Sequence, residues 1–144
     1  VNRTIYVIEG LGGEVGAWCR SPIIKAGFTV KWFPWWWPNP KIPPGSILVG
    51  HSFGGGKAIR LVNEGKVNPS ALITLDPRLE PQGGFRLKSI LHIDRTQNFF
   101  QPKGLRGYFV SQMWNEEILD GTRHTQLPSH PRVIERLKEI AELA

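Results

Sequence analysis

The ten residues Ile47-Leu48-Val49-Gly50-His51-Ser52-Phe53-Gly54-Gly55-Gly56 constrain this chain more than any other stretch. A short apolar run ends in Gly-x-Ser-x-Gly, and helical periodicity resumes beyond it. Strand, sharp turn and helix in that order hold Ser52 on a strained corner, where Cβ atoms at positions 50 and 54 would collide with the backbone. A serine held that way stands at the carboxyl end of a central strand, as in a nucleophile elbow. The pattern is short enough to arise by accident, and the plainer alternative is a glycine-rich turn that binds an anion on free backbone N–H groups. The strand before it and the helix after it favour the elbow.

Around this turn the chain alternates strands and helices. Thr4-Ile5-Tyr6-Val7-Ile8 reads as a buried strand closed by Glu9-Gly10-Leu11-Gly12-Gly13. From Glu14 the spacing is helical, with Val15, Trp18, Ile23 and Ile24 able to share a face and Pro22 interrupting it. Phe28 to Phe33 reads as a second strand. After the elbow, Lys57 to Glu64 reads as a helix capped by Gly65. Ala71 to Leu75 is an apolar strand of the parallel type, ended by Asp76-Pro77. Further strands are expected at Lys88 to Ile93 and near Tyr108-Phe109-Val110, followed by a polar loop from Asp120 to Pro128. A final helix starts at Pro131, with Val133, Ile134, Leu137, Ile140, Ala141 and Ala144 at helical spacing and Ser129 or His130 as its cap.

The crossover from Pro34 to Gly45 breaks the alternation. Five prolines, at 34, 38, 40, 43 and 44, forbid a helix there, and Trp35, Trp36 and Trp37 stand in a row. Two readings remain open, and the three rings can divide between them. The indoles form an exposed apolar platform that binds substrate at the carboxyl end of the sheet, or they fold down over the sheet face that the missing helix leaves bare.

Composition bounds the function classes. At 144 residues, 40% hydrophobic and 21% charged, the chain suits one soluble globular domain spanning 1–144. The single cysteine, Cys19, excludes an internal disulfide and reads as a small buried group rather than a nucleophile. The formal charge of +6 is carried by scattered lysines and arginines with no nucleic-acid motif. No specific nucleic-acid partner is expected, only weak, salt-dependent contact with anionic surfaces. No apolar run approaches the ~20 residues that cross a bilayer, and no signal peptide is visible. The expected location is therefore cytoplasmic, although a chain beginning at Val1 leaves room for a removed leader.

Taken together, Gly10-Leu11-Gly12-Gly13 after the first strand, Gly50-His51-Ser52-Phe53-Gly54, Asp76 and a late His124 resemble the α/β-hydrolase superfamily. The closest resemblance is to its small, lidless esterase- and lipase-like serine hydrolases. It covers most of the chain in pruned form, with early strands and one crossover helix missing and no cap domain. The implied fold is a mostly parallel central sheet with flanking helices. The implied site has Ser52 as nucleophile, His124 as general base and an aspartate that orients the imidazole. The backbone N–H groups of Phe53 and of the Leu11 to Gly12 region would form the oxyanion hole. Asp76 at a clean strand end is favoured as the acid, and Asp94 remains the alternative. Asp120 beside Gly121 reads as a turn residue. His51 reads as a packing residue, His92 as a core or surface position within a strand, and His130 as a cap. The implied activity is cleavage of small-molecule or lipid-like carboxylic esters through an acyl-enzyme, without metal or cofactor. Thioester or amide cleavage on the same residues stays open, as does a non-catalytic binding module that uses the tryptophans.

Overall fold

The computed structural model describes residues 3–10, 22–76, 90–95, 114–119, 122 and 124–143. Six strands form one sheet: β1 (Thr4–Glu9), β2 (Thr29–Pro34), β3 (Ile47–His51), β4 (Ala71–Leu75), β5 (Ile90–Arg95) and β6 (Trp114–Leu119). Their order is β2-β1-β3-β4-β5-β6, and all five pairings are parallel. Parallel neighbours need long crossovers, which place covering elements on both faces of the sheet. Helix α1 (Phe53–Asn63) follows β3, and helix α2 (Pro131–Leu143) ends the described chain.

Two-residue alternation along the strands divides the apolar side chains between the faces. Ile5, Val7, Ile47, Val49, Ile73 and Leu75 pack with Val133, Leu137 and Ala141 of α2. Ile8, Leu48 and Leu72 pack with Ala58, Ile59, Leu61 and Val62 of α1 on the opposite face. The cluster that α1 covers is completed by Trp35 and Ile42 from the proline-rich crossover. Those two side chains take the place of the helix that prolines forbid between β2 and β3.

Several expectations are corrected. Residues 22–25 form a helical turn in which Ile23 is buried and Ile24 faces solvent; Ile24 lies about 100° round the turn from Ile23 and falls past the edge of the buried stripe. The sixth strand lies at Trp114–Leu119, a stretch with three polar residues in six and no apolar run to announce it. It is the edge of the sheet, where charged side chains are expected. The polar loop before the last helix contains a 3-10 turn, His124–Ser129, held down by Leu127, which is fully buried in the α2-side cluster. The expected strand near Tyr108 and the helical stretch from Glu14, with Cys19, lie outside the described residues.

Candidate active site

The strand order itself singles out one place. From β1 the chain moves outward to β2, then returns across β1 to lay β3 on its other side. Connections leaving β1 and β3 therefore diverge at their carboxyl ends, which opens the crevice where open parallel sheets bind ligands. Gly10 follows β1 there and Ser52 follows β3.

The turn at Ser52 is tight because three backbones converge on it. A Cβ built at Gly50 would lie 2.6 Å from the Gly54 carbonyl oxygen, and one at Gly54 would run into the Ile8 carbonyl of β1. Bare glycines let α1 start directly against β1 and β3. At Gly10, a Cβ would come within 2.8 Å of the Ser52 Cβ and 3.2 Å of its Oγ. Gly10, the residue after β1, thus packs against the serine at the distance only a glycine permits.

Ser52 occupies the residue before α1, where a serine commonly caps the helix with its hydroxyl. Here it makes no capping bond, and its backbone sits at φ 57, ψ −124. Its own N–H donates to the Leu75 carbonyl at 3.0 Å, continuing the β3–β4 ladder by one residue. The side chain is 5% exposed. Phe53 begins α1, and the first N–H groups of a helix have no acceptor within it. The positive end of the helix dipole lies at the same point, and no acidic residue occupies the first turn. Lys57, further along α1, is buried; burial is the main cause that pushes its ammonium below the usual lysine range, with Arg60 and Lys66 adding to it and Glu64 opposing.

Asp76 follows the last β3–β4 register pair, His51 with Leu75, and so lies at the level of Ser52 on the adjacent strand. It is 2% exposed and has φ 48. Among the described residues, Ser52 and Asp76 are the two non-glycine positions with positive φ. Strained backbone is stored where surrounding structure enforces it, and here two such residues sit side by side at one strand end. Asp94 lies within β5, opposite Ile118 of β6, rather than beyond a strand end.

The histidines separate as well. His51 is fully buried as the last residue of β3, and the His130 Nδ1 accepts the Arg132 N–H at 3.0 Å at the start of α2, the capping role expected of it. The backbone of His124 opens the 3-10 turn that Leu127 anchors; its side chain, like those of His92 and Asp94, lies outside the described residues, as do Leu11, Gly12 and Asp120.

The tryptophan row divides. Trp35 packs on the α1-side cluster with its ring 5.4 Å from that of Phe53, while Trp36 and Trp37 are exposed. Sequence reading passes over Glu9, which ends β1 at 2% exposure just before Gly10. Its signal is a carboxylate closing an apolar strand beside a glycine, a pattern shared with ordinary strand ends.

No protein-family model matches the chain, and no curated protein matches it in sequence. Solved structures do match. Est1E from Butyrivibrio proteoclasticus is similar at a TM-score of 0.68 and 12% identity, covering 99% of this chain and 89% of that one. An α/β serine hydrolase without lid from Xanthomonas campestris is similar at 0.59 and 14%, covering 99% and 80%. The RedJ thioesterase of the prodiginine pathway in Streptomyces coelicolor is similar at 0.59 and 13%, covering 99% and 91%.

Proposed function

We propose that this chain, whose fold is that of the α/β hydrolases, is a single-domain serine hydrolase that cleaves carboxylic esters through an acyl-enzyme. One observation carries the reading. Ser52 sits before a helix, at positive φ, with a hydroxyl that does not cap, at the carboxyl end of β3 where the strand order switches direction.

In this reading the Ser52 Oγ attacks the ester carbonyl while His124 takes its proton. The oxyanion is met by the Phe53 N–H and by a donor from the Leu11 to Gly12 loop, and the helix dipole favours the same negative charge. Collapse breaks the C–O bond, and His124 returns the proton to the departing alcohol. Water, deprotonated by His124, then attacks the acyl carbon and frees Ser52. Asp76 holds the imidazole and balances its charge, supported by its place beside Ser52. Trp35, against Phe53, supports an apolar wall for the acyl or alcohol group. Trp36 and Trp37 extend that apolar surface outward.

A fluorophosphonate probe is expected to label the wild-type protein and not Ser52→Ala. Ester turnover should fall about 10³-fold or more in Ser52→Ala and Asp76→Asn. Asp94→Asn should leave it within a few fold, and wild-type activity should decline below roughly pH 6.5, where an imidazole base is protonated. Folded wild-type protein that is neither labelled nor active on an ester panel would overturn the reading and favour a binding module. The likeness to a thioesterase recommends thioesters in the same panel, since these residues do not choose the leaving group.

A further inference from the structure

The lysines and arginines are scattered along the chain, but the acids are not. Between Val15 and Asn63 stand Arg20, Lys25, Lys31, Lys41, Lys57 and Arg60 without one aspartate or glutamate. The whole formal charge of +6 is held in that stretch, and the remaining twelve cations are matched by all twelve acids. The same stretch carries the exposed tryptophans.

Its geometry is specific. The Trp37 N–H donates to the Pro34 carbonyl at 3.0 Å, which closes a turn over residues 34–37 at the end of edge strand β2. Trp35 and Ile42 both anchor on the α1-side cluster, so the chain between them is pinned at two points and bows outward. The bow presents Trp36 at 63% and Trp37 at 45% exposure, with Lys41 exposed after them. Trp32 (37% exposed) and Lys31 are exposed on the strand that leads in. None of the ion pairs among the described residues uses Lys31 or Lys41.

We propose that this turn, with Trp36 and Trp37 between Lys31 and Lys41, docks the protein onto an anionic lipid surface. Indoles settle at the headgroup level, where one edge is apolar and the N–H is wet, and the exposed lysines that precede and follow them in the chain add attraction to anionic headgroups. The two indole planes are tilted by 41° with centroids 5.9 Å apart, which suits two wedges entering a fluid interface. A sugar ring would need one flat face. An acidic protein partner would account for the lysines without needing adjacent, separately tilted tryptophans. Docking in this orientation brings the carboxyl edge of the sheet, with Trp35 and the Ser52 turn, to the lipid. That last consequence rests on the hydrolase reading; the docking does not.

The test is sedimentation of the intact chain with phosphatidylcholine vesicles, with and without phosphatidylserine. Binding is expected to the phosphatidylserine vesicles, weakened by added salt. It should fall tenfold or more in Trp36→Ser/Trp37→Ser and roughly 25-fold in Lys31→Gln/Lys41→Gln, at about fivefold per lysine. Ser52→Ala should bind as wild type, which separates this proposal from the catalytic one. Circular dichroism identical to wild type is expected for both surface variants because all four positions are exposed. Unchanged binding in the tryptophan variant would overturn the proposal. So would equal binding to both vesicle types, absence of binding to either, or self-association that the tryptophan variant abolishes.

Discussion

The Ser52 turn and the proline-rich crossover touch each other through Phe53 and Trp35, yet they are built by opposite means. At the turn, side chains are removed until three backbones fit together. In the crossover, large side chains are added until two of them, Trp35 and Ile42, cover what a helix would have covered. The first is a problem of exclusion and the second a problem of coverage. Substitutions should therefore act through different physics a few ångströms apart.

The largest effect is expected at the turn. Gly54→Ala places a methyl group into the Ile8 carbonyl, which neither backbone can yield without parting β1 from α1. Loss of more than about 4 kcal/mol, or no folded protein, is expected on denaturant titration. A stable Gly54→Ala protein would show that the turn has slack and would end the contrast. In the crossover, Trp35→Ala should cost about 2–3 kcal/mol through lost contact with the α1-side cluster, less than a fully buried tryptophan would. Trp36→Ala should stay within about 0.5 kcal/mol. Equal losses at the two positions would mean that coverage is shared along the row.

A smaller effect tests whether α1 is shaped for charge rather than for stability. Lys57 is buried and its ammonium titrates below the usual lysine range, mainly because burial disfavours the charged form. Between the folded and unfolded pKa values the unfolded chain binds more protons, so wild-type stability rises with pH through that window. Below the window the burial penalty is fully present. Lys57→Met should gain about 1 kcal/mol near neutral pH by thermal or urea unfolding. The gain should shrink as the pH rises towards the ordinary lysine value.

What was legible in the sequence follows the same division. Exclusion writes itself plainly: Gly50, Gly54 and the apolar run before Ser52 give the strand and the turn, while the helix begins at Phe53, four residues before the expected Lys57, because Gly54, Gly55 and Gly56 hide its first turn. Central parallel strands are equally plain, because burial on both faces demands continuous apolar residues. Trp114–Leu119 was missed because an edge strand is half solvated and carries charge. The 3-10 turn at His124 was missed because one buried residue, Leu127, organises it. A division of the tryptophans was open to the sequence, but not which ring would turn inward. Nothing in three identical side chains says which will turn inward; the turn closed between Pro34 and Trp37 decides it. The residues read Gly10 as a strand end, and only the family resemblance places the glycine-rich segment after it beside Ser52, since that proximity comes from strands far apart in sequence.

The placement of β3 between β1 and β4 has a kinetic consequence. The conformation of Ser52 depends on Ile8 and Gly10 from the strand on one side and on the Leu75 carbonyl from the strand on the other. None of these is local, and closing such long loops is the slow part of assembling a parallel sheet. An emerging or partly unfolded chain therefore holds Ser52 as an ordinary serine on a flexible glycine-rich segment. Only when three strands have docked is the residue forced into its positive-φ corner, so completion of the central sheet fixes the geometry of the Ser52 turn.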